Sequence, residues 1–148
     1  MIDDIDRAII RVLQEDGRTT HRDLGRRVGL SPNAAGARMA RLLDRGIISG
    51  VHAVVDQAAL GRPIDAWVDC WLDPPRDRAR FDAVVRDDDR VLEAAYLTGR
   101  VDYRLRVAVA SPADLDQLLA RLRAEAGVAE TDTRLILHNV VAGRLPAG

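Results

Sequence analysis

The spacing of apolar residues changes from helical to alternating near residue 50. Before that point apolar side chains recur every three to four positions, as in Ile5, Ile9 and Val12, which is the period of an amphipathic helix. Beyond it they alternate with polar residues, as in the segment 64–72, which is typical of strands with one buried face. The 148 residues suffice for two small domains. The sequence predicts a helical domain over residues 1–50, a strand and linker over 51–63, and an α+β domain over 64–148.

The first domain carries the signals of a helix-turn-helix. Thr20 and Asp23 have the spacing of a capping box, which opens a helix that ends near Val28. Ser31 and Pro32 are suited to the N-cap and the first position of the following helix. These two short helices follow an amphipathic first helix and are joined by a glycine-containing turn, which is the arrangement of a helix-turn-helix.

Arginines are concentrated on this motif. Residues 18–45 carry seven arginines against two aspartates, although the formal net charge of the whole chain is −1. A local basic region on a near-neutral chain is typical of a surface that meets a polyanion. We therefore predict DNA binding, the alternative being a three-helix bundle whose arginines are only solvated. The candidate DNA-binding residues are Arg18, Thr20, His21, Arg22, Ser31, Asn33, Ala34, Ala37, Arg38, Arg41 and Arg45.

The second helix of such a motif enters the major groove with its first turns against base edges. An amide such as that of Asn33 can read adenine, and Arg38 or Arg41 can read guanine or bind phosphate. A dimer would present two such helices to two half-sites, so a near-palindromic operator is expected.

The second domain has the element order β-α-β-β-α-β, which predicts a ferredoxin-like fold. The predicted strands cover residues 64–72, 91–98, 102–110 and 131–141, and a further short strand covers 51–55. In this fold two helices cover one sheet face and leave the other bare. Trp67 and Trp71 would lie on the bare face, where Arg104 and Arg106 could pair with Asp65 and Asp69. Aromatic side chains on a bare face favour self-association through the sheet.

Several kinds of chemistry are disfavoured by composition. All 22 basic residues are arginine, so no lysine can form a Schiff base or a P-loop. Cys70, the single cysteine, alternates onto the apolar strand face and is predicted to be a buried, inert thiol. The three histidines lack zinc-ligand spacing, and the run Asp87 to Asp89 is interpreted as a solvated turn. We expect no catalytic residue, no metal, no cofactor and no membrane segment, and a cytoplasmic protein.

Four segments resemble the Lrp/AsnC (leucine-responsive, feast/famine) family of transcriptional regulators. They cover residues 2–18, 24–48, 96–103 and 127–133 and have the order and spacing of that family. The third segment, Tyr96-Leu97-Thr98-Gly99-Arg100-Val101-Asp102-Tyr103, resembles the family's effector loop. The resemblance implies a winged helix-turn-helix that binds an operator, followed by a ferredoxin-like effector domain through which subunits form dimers and often tetramers or octamers.

The resemblance also implies a small effector, most often an amino acid, bound between subunits. The effector-binding residues carried over are Tyr96, Thr98, Gly99, Arg100, Asp102, Tyr103, Thr131 and Thr133. Arg100 departs from the family, which commonly has an acid there. Asp102 could still hold an ammonium group, and Arg100 could bind a carboxylate with two hydrogen bonds, which disfavours a basic amino acid. Alternatively Arg100 is a solvated turn residue and the pocket is altered or unused.

Two other functions fit the same architecture. Siroheme decarboxylases resemble this two-domain arrangement, but they would need histidines and basic residues in the sheet domain. Here that domain offers only His138 as a histidine, and at best Arg100, Arg104, Arg106 and Arg134 would lie near it. An effector-independent architectural DNA-binding protein is the third possibility, because a fold does not fix a function.

Overall fold

A computed structural model describes residues 2–140, which fall into two units, one up to residue 54 and one of residues 55–140. The first unit contains helices α1 (Asp4–Glu15), α2 (His21–Val28) and α3 (Pro32–Asp44). The predicted caps of α2 and α3 are confirmed, because the side chains of Thr20 and Ser31 accept the backbone N–H groups of Asp23 and Ala34.

The core of the first unit lies between the three helices. Ile9 and Val12 of α1, Leu24 of α2, and Ala35 and Leu42 of α3 are all buried there. Met39 packs against this cluster from a partly buried position, as the inward face of α3 predicts. Burial of this common cluster stabilises all three helices together, since short helices are marginally stable in isolation.

The strand predicted at residues 51–55 is wrong for the described chain. This segment has no regular secondary structure, and its side chains are exposed, with Val54 96% accessible. A strand exists only where a neighbouring strand pairs with its backbone, and no described strand pairs with these residues. The described helix-turn-helix therefore lacks the strand that would form a wing.

The second unit has the predicted β-α-β-β-α-β order. It contains strand β1 (Ile64–Leu72), helix α4 (Arg78–Asp87), strands β2 (Val91–Tyr96) and β3 (Tyr103–Val109), helix α5 (Pro112–Ala126) and strand β4 (Val128–Leu135). The sheet order is β2-β3-β1-β4 with antiparallel neighbours, which is the ferredoxin-like arrangement.

The last strand starts earlier than predicted. Gly127 ends α5 in the left-handed conformation, with φ of 67°, and Val128 pairs directly with Leu72 of β1. β4 ends at Leu135, and the predicted end at Val141 lies outside the described residues. The sequence suggested a later start because the alternation is regular only from Thr131 onwards.

Both helices of the second unit pack on one face of the sheet. Val68 and Leu105 from the strands meet Phe81 of α4 and Leu118 of α5 in one buried cluster. Cys70 lies in the same cluster, and burial raises the pKa of its thiol to about 12. The prediction that this cysteine is buried is thus confirmed, and a raised thiol pKa disfavours the reactive thiolate.

The run Asp87 to Asp89 is not simply a solvated turn. Asp88 is 5% exposed and accepts hydrogen bonds from the guanidinium groups of Arg90 and Arg121, at 2.6 and 2.9 Å. These arginines hold the pKa of Asp88 at about 2. The sequence could not reveal this, because Arg121 comes from α5, 33 residues away.

Within the residues that the structure describes, no helix is long and apolar enough to cross a membrane.

Candidate nucleic-acid interface and effector region

The turn between α2 and α3 depends on two glycines. Gly29 caps α2 in the left-handed conformation, with φ of 72°. The backbone of Leu30 passes so close to Gly25 that a Cβ there would lie 2.6 Å from the Leu30 carbonyl oxygen. The sequence analysis missed Gly25, although a glycine inside a short helix is a signal of close backbone approach.

Gly36, inside α3, serves a different contact. A Cβ at Gly36 would lie 2.8 Å from Nδ1 of His21, so the imidazole ring of α2 rests against the backbone of α3. His21, a candidate for DNA contact, is therefore also part of the packing between the two helices. The two helices meet closely along this line.

The outer face of α3 carries the predicted base-reading residues. Asn33, Ala37, Arg41 and Arg45 are exposed, and Ala34 is half-buried. Arg18 and Arg22, which precede and open α2, are also exposed. None of these arginines takes part in an ion pair among residues 2–140, so their guanidinium groups are available to phosphates or bases.

Arg38 differs from the other arginines of this surface. Its Nη1 donates to Asp3 at 2.6 Å and to Asp6 at 2.8 Å, both at the start of α1. Asp6 is 4% exposed, so its charge is neutralised inside the unit. Arg38 thus joins α3 to α1, and the prediction that it contacts DNA remains untested.

Thr20 and Ser31 also have structural partners. Each is an N-cap whose hydroxyl accepts a backbone N–H, and the Thr20 hydroxyl additionally donates to Asp23 at 2.7 Å. Both hydroxyls lie at helix N-termini, which are favourable places for a phosphate. Arg26 forms an ion pair with Asp23, and Arg27 forms one with Glu15. These two arginines are therefore less available to DNA than Arg18, Arg22, Arg41 and Arg45, which are unpaired among residues 2–140.

The predicted effector residues separate into two groups in one chain. Tyr96 and Tyr103 pair across β2 and β3, with ring centroids 5.1 Å apart, and the segment 97–102 connects those strands. Thr131 and Thr133 lie on β4 at the other edge of the sheet. Both β3 and β1 lie between Tyr96 and these threonines, whereas β1 alone lies between them and Tyr103.

Within the first group, Asp102 is largely engaged by its own chain. One carboxylate oxygen accepts the Leu72 N–H at 2.9 Å, and the other lies 3.6 Å from Arg76. Thr98, Gly99 and Arg100 are exposed, and the carbonyl oxygen of Arg100 accepts the indole N–H of Trp71. This hydrogen bond holds the loop against the end of β1. The Arg100 side chain is exposed and makes no ion pair among the described residues.

In the second group, Thr131 accepts a hydrogen bond from Arg123 of α5 at 3.2 Å. The hydroxyl of Thr133 is buried but has no hydrogen-bond partner among residues 2–140.

A cavity of about 390 Å³ lies beside the first group, between α4 and the edge strand β2. Tyr96 and Tyr103 line it together with Arg78 and Asp82 of α4. The hydroxyl of Tyr103 donates to Asp82 at 2.8 Å, and the guanidinium carbon of Arg78 lies 3.9 Å from the centre of the Tyr96 ring. The sequence analysis missed both α4 residues, because only the packing of α4 against β2 brings them beside the tyrosines.

The sheet face opposite the helices carries the predicted ion pairs. Arg104 binds Asp69 through two hydrogen bonds of 2.7 and 2.9 Å, and Arg106 binds Asp65 at 3.2 and 2.7 Å. The Arg104 guanidinium lowers the pKa of the Asp69 carboxyl. Trp67 and Trp71 are partly exposed on this face. The predicted pairing of arginines with aspartates is confirmed.

Comparison with known proteins gives two family matches that cover most of the chain. Residues 2–43 match the AsnC-type helix-turn-helix domain, and residues 67–146 match the Lrp/AsnC ligand binding domain. Over 148 residues the chain is 37% identical to the HTH-type transcriptional regulator LrpA of Mycobacterium tuberculosis, covering 97% of this chain and 95% of that protein.

Solved structures give the same result. The feast or famine regulatory protein from M. tuberculosis, complexed with L-methionine, matches with a TM-score of 0.94 and 33% identity over the whole of both chains. A transcriptional regulator of Neisseria meningitidis, also in complex with L-methionine, matches with a TM-score of 0.89 and 29% identity, covering 95% of this chain and 93% of that one. The named relatives are regulators, in agreement with the prediction of a non-enzymatic protein.

Proposed function

This chain belongs to the Lrp/AsnC family of transcriptional regulators, and we propose that it binds a near-palindromic operator as a dimer or larger assembly under the control of an amino acid. The observation that carries the DNA-binding part is the exposed basic face of α3, on which Arg41 and Arg45 have no acidic partner among the described residues.

The contacts follow from the geometry of that face. Asn33, in the first turn of α3, is placed to reach a base edge, and its amide suits adenine. Arg41 and Arg45, further along α3, suit guanine or phosphate, while Arg18 and Arg22 near the start of α2 suit the flanking phosphates. Phosphate contacts position the protein, and the few base contacts give it sequence preference.

We place the effector region between subunits of the C-terminal domain. Tyr96, Tyr103 and the loop residues Thr98, Gly99, Arg100 and Asp102 would come from one subunit, and Thr131 and Thr133 from another. The position of Tyr96 and the two threonines on opposite edge strands of one chain supports this arrangement, as do the L-methionine complexes of the two structural neighbours. An effector that prefers one assembly would change operator affinity by a coupling free energy of about 1–3 kcal/mol.

The test is a mobility-shift titration with the DNA upstream of the protein's own gene. It is run over a salt series, with and without a pool of the twenty amino acids. We expect site-preferring binding that weakens steeply with salt and changes with the pool. Arg41→Met should weaken binding, whereas Arg7→Met, which removes an exposed arginine of α1, serves as the matched control.

Three other outcomes separate the parts of the proposal. Specific binding that ignores the pool would remove the amino-acid effector and favour an architectural role. Equal binding to any DNA would remove the operator. No binding at low salt would contradict the DNA-binding assignment as a whole.

A further inference from the structure

The imidazole ring of His21, which belongs to α2, covers a position of α3 that has no side chain of its own. That position is Gly36, the only glycine of α3. A Cβ at Gly36 would lie 2.8, 3.0 and 3.2 Å from Nδ1, Cε1 and Cγ of the ring. These three atoms form one edge of the imidazole, so the ring occupies the space that a side chain of α3 would otherwise fill.

The covered position lies on the face of α3 that is proposed to meet DNA. Gly36 is about one helical turn after Asn33 and one turn before Ala40, and both of these residues are exposed. Ala37, the next residue along the helix, is exposed as well. His21 itself is exposed, so its ring lies at the surface where α2 and α3 meet. An imidazole from α2 is therefore presented as part of the outer face of α3.

The ring retains its hydrogen-bonding capacity. Neither ring nitrogen has a hydrogen-bond or ion-pair partner among residues 2–140, whereas the neighbouring Thr20 and Asp23 are hydrogen-bonded to each other at 2.7 Å. Nδ1 belongs to the edge that lies against Gly36, and Nε2 is on the farther side of the ring. A protonated imidazole nitrogen is a donor. Nε2 is therefore placed to donate to a group that approaches α3 from outside.

The early part of α3 offers few other readers of a base edge. Within Pro32–Ala40 the only charged residue is Arg38, and its guanidinium group is held by Asp3 and Asp6. Asn33 is the one exposed polar side chain of that stretch, and the remaining exposed residues are small or apolar. Small side chains let the backbone of α3 approach the floor of the groove closely. The ring of His21 thus supplies a second polar group beside Asn33.

We propose that His21 is a base-reading residue of the helix-turn-helix and that its Nε2–H donates to a guanine of the operator. Guanine fits because it presents two acceptors, N7 and O6, in the major groove. This inference deepens the proposed function and rests on its DNA-binding part.

The spacing along α3 gives the place of this guanine. At about 1.5 Å per residue, Gly36 lies roughly 4.5 Å from Asn33 and roughly 7.5 Å from Arg41 along the helix axis. Base pairs are stacked about 3.4 Å apart. The guanine should therefore lie one or two base pairs from the base read by Asn33, on the side toward the DNA contact of Arg41.

The experiment is selection of binding sites by the full chain from a pool of DNA duplexes with a randomised stretch of about two helical turns, roughly 20 base pairs. Sequencing of the selected duplexes gives the base preference at each position without a known operator. Single base-pair substitutions in the selected consensus are then compared by mobility shift for the wild type, His21→Ala and Gly36→Ala. The first variant removes the ring, and the second displaces it with a methyl group.

We expect the wild type to prefer guanine at one position of each half-site by about two- to tenfold, which is the effect of one net hydrogen bond. Both variants should lose that preference and keep the preferences at the other positions. His138→Gln removes an exposed imidazole from the second unit and should keep all of them. Cooperative thermal melting of each variant checks that it is folded.

The outcomes separate this inference from the proposed function. Equal weakening on the consensus and on every substituted duplex would give His21 a phosphate contact or a packing role and overturn base reading. Retention of the guanine preference by both variants would overturn it as well, and a lost preference for another base would overturn the guanine assignment. If the wild type selects no consensus at all, the operator itself is contradicted, and the reading of any base with it.

Discussion

At the scale of single residues, arginines with similar sequence surroundings have different roles. Arg38 and Arg41 are three positions apart on α3, and both are candidates for DNA contact. Arg38 is turned toward α1, where Asp3 and Asp6 raise its pKa and hold its guanidinium group. Arg41 is exposed and unpaired among the described residues. The difference is one of helical position, since Arg38 faces a neighbouring helix.

Replacing these two arginines should therefore give different results. Arg38→Met leaves the buried Asp6 carboxylate without its cation and should lower the free energy of unfolding by more than the substitution at Arg41 does. Arg41→Met should change it by less than about 0.5 kcal/mol and should weaken operator binding, with a reduced salt slope if Arg41 contacts phosphate. Denaturant unfolding and mobility shifts measure the two effects. Equal stability of both variants would refute the structural role of Arg38.

The buried carboxylate of Asp88 makes a second prediction at this scale. Its pKa is about 2 in the folded protein, against an ordinary value of 3.8, so the ionised form stabilises the fold. That stabilisation is complete above the ordinary value and is lost as the pH falls through about 2. The stability difference between the wild type and Asp88→Asn should therefore be constant above about pH 5. It should shrink by about 2 kcal/mol in strong acid.

Urea unfolding from about pH 7 to pH 2 gives this difference, with Asp89→Asn as the control because the Asp89 side chain is 81% exposed. A difference that does not vary with pH would mean that the carboxylate's charge does not stabilise the fold.

At the scale of elements, two glycines inside helices have opposite sensitivities. At Gly25 the obstacle to a side chain is the backbone of Leu30, which belongs to the turn itself. At Gly36 the obstacle is the ring of His21, an exposed side chain that can rotate away. Replacement of each glycine by alanine therefore distinguishes a rigid backbone obstacle at Gly25 from a movable side-chain obstacle at Gly36.

We expect Gly25→Ala to destabilise the first unit by about 2 kcal/mol or more and to abolish operator binding, because the turn must open to admit the methyl group. Gly36→Ala should be neutral or stabilise by up to about 1 kcal/mol, which is the helix propensity difference between the two residues. Thermal melting followed by circular dichroism checks both variants. A larger loss for Gly36→Ala than for Gly25→Ala would contradict the geometry of the turn.

At the scale of the whole molecule, the sheet face opposite the helices is the surface that favours self-association. Trp67 and Trp71 are partly exposed there beside arginines already neutralised by Asp65 and Asp69. A face with aromatic side chains and internally paired charges can be buried against another copy without leaving unpaired ions. This supports the proposal that subunits associate through the sheet.

Replacement of Trp67 tests that association. Trp67→Glu should weaken self-association at least about tenfold, because aromatic residues carry much of the energy of such interfaces and because a carboxylate would be buried there. Trp67→Phe keeps an aromatic ring and should associate like the wild type. Sedimentation velocity over a concentration series measures the assembly, with circular dichroism to confirm folding. Unchanged mass for the glutamate variant would place the interface elsewhere.

The sequence by itself determined the features that depend on neighbours along the chain. The N-terminal ends of α2 and α3 follow from Thr20 and Ser31, whose hydroxyls each accept a backbone N–H from the first turn of the helix. The buried face of β1 follows from its alternation, because successive side chains of a strand point to opposite sides. The element order of the second unit then limited the fold to a ferredoxin-like sheet.

Only the tertiary structure decided which distant residues meet. It placed Thr133 and Tyr96 at opposite edges of the sheet, because strand order depends on pairing partners and not on local pattern. It also placed Arg38 in hydrogen-bonding contact with Asp6 and buried Asp88 against the guanidinium groups of two arginines, because the packing of helices brings these charges together. It also brought Arg78 of α4 beside the Tyr96 ring of β2. Residues 51–55 remained without a strand, since a strand is stabilised by a neighbouring backbone that the sequence pattern alone does not supply.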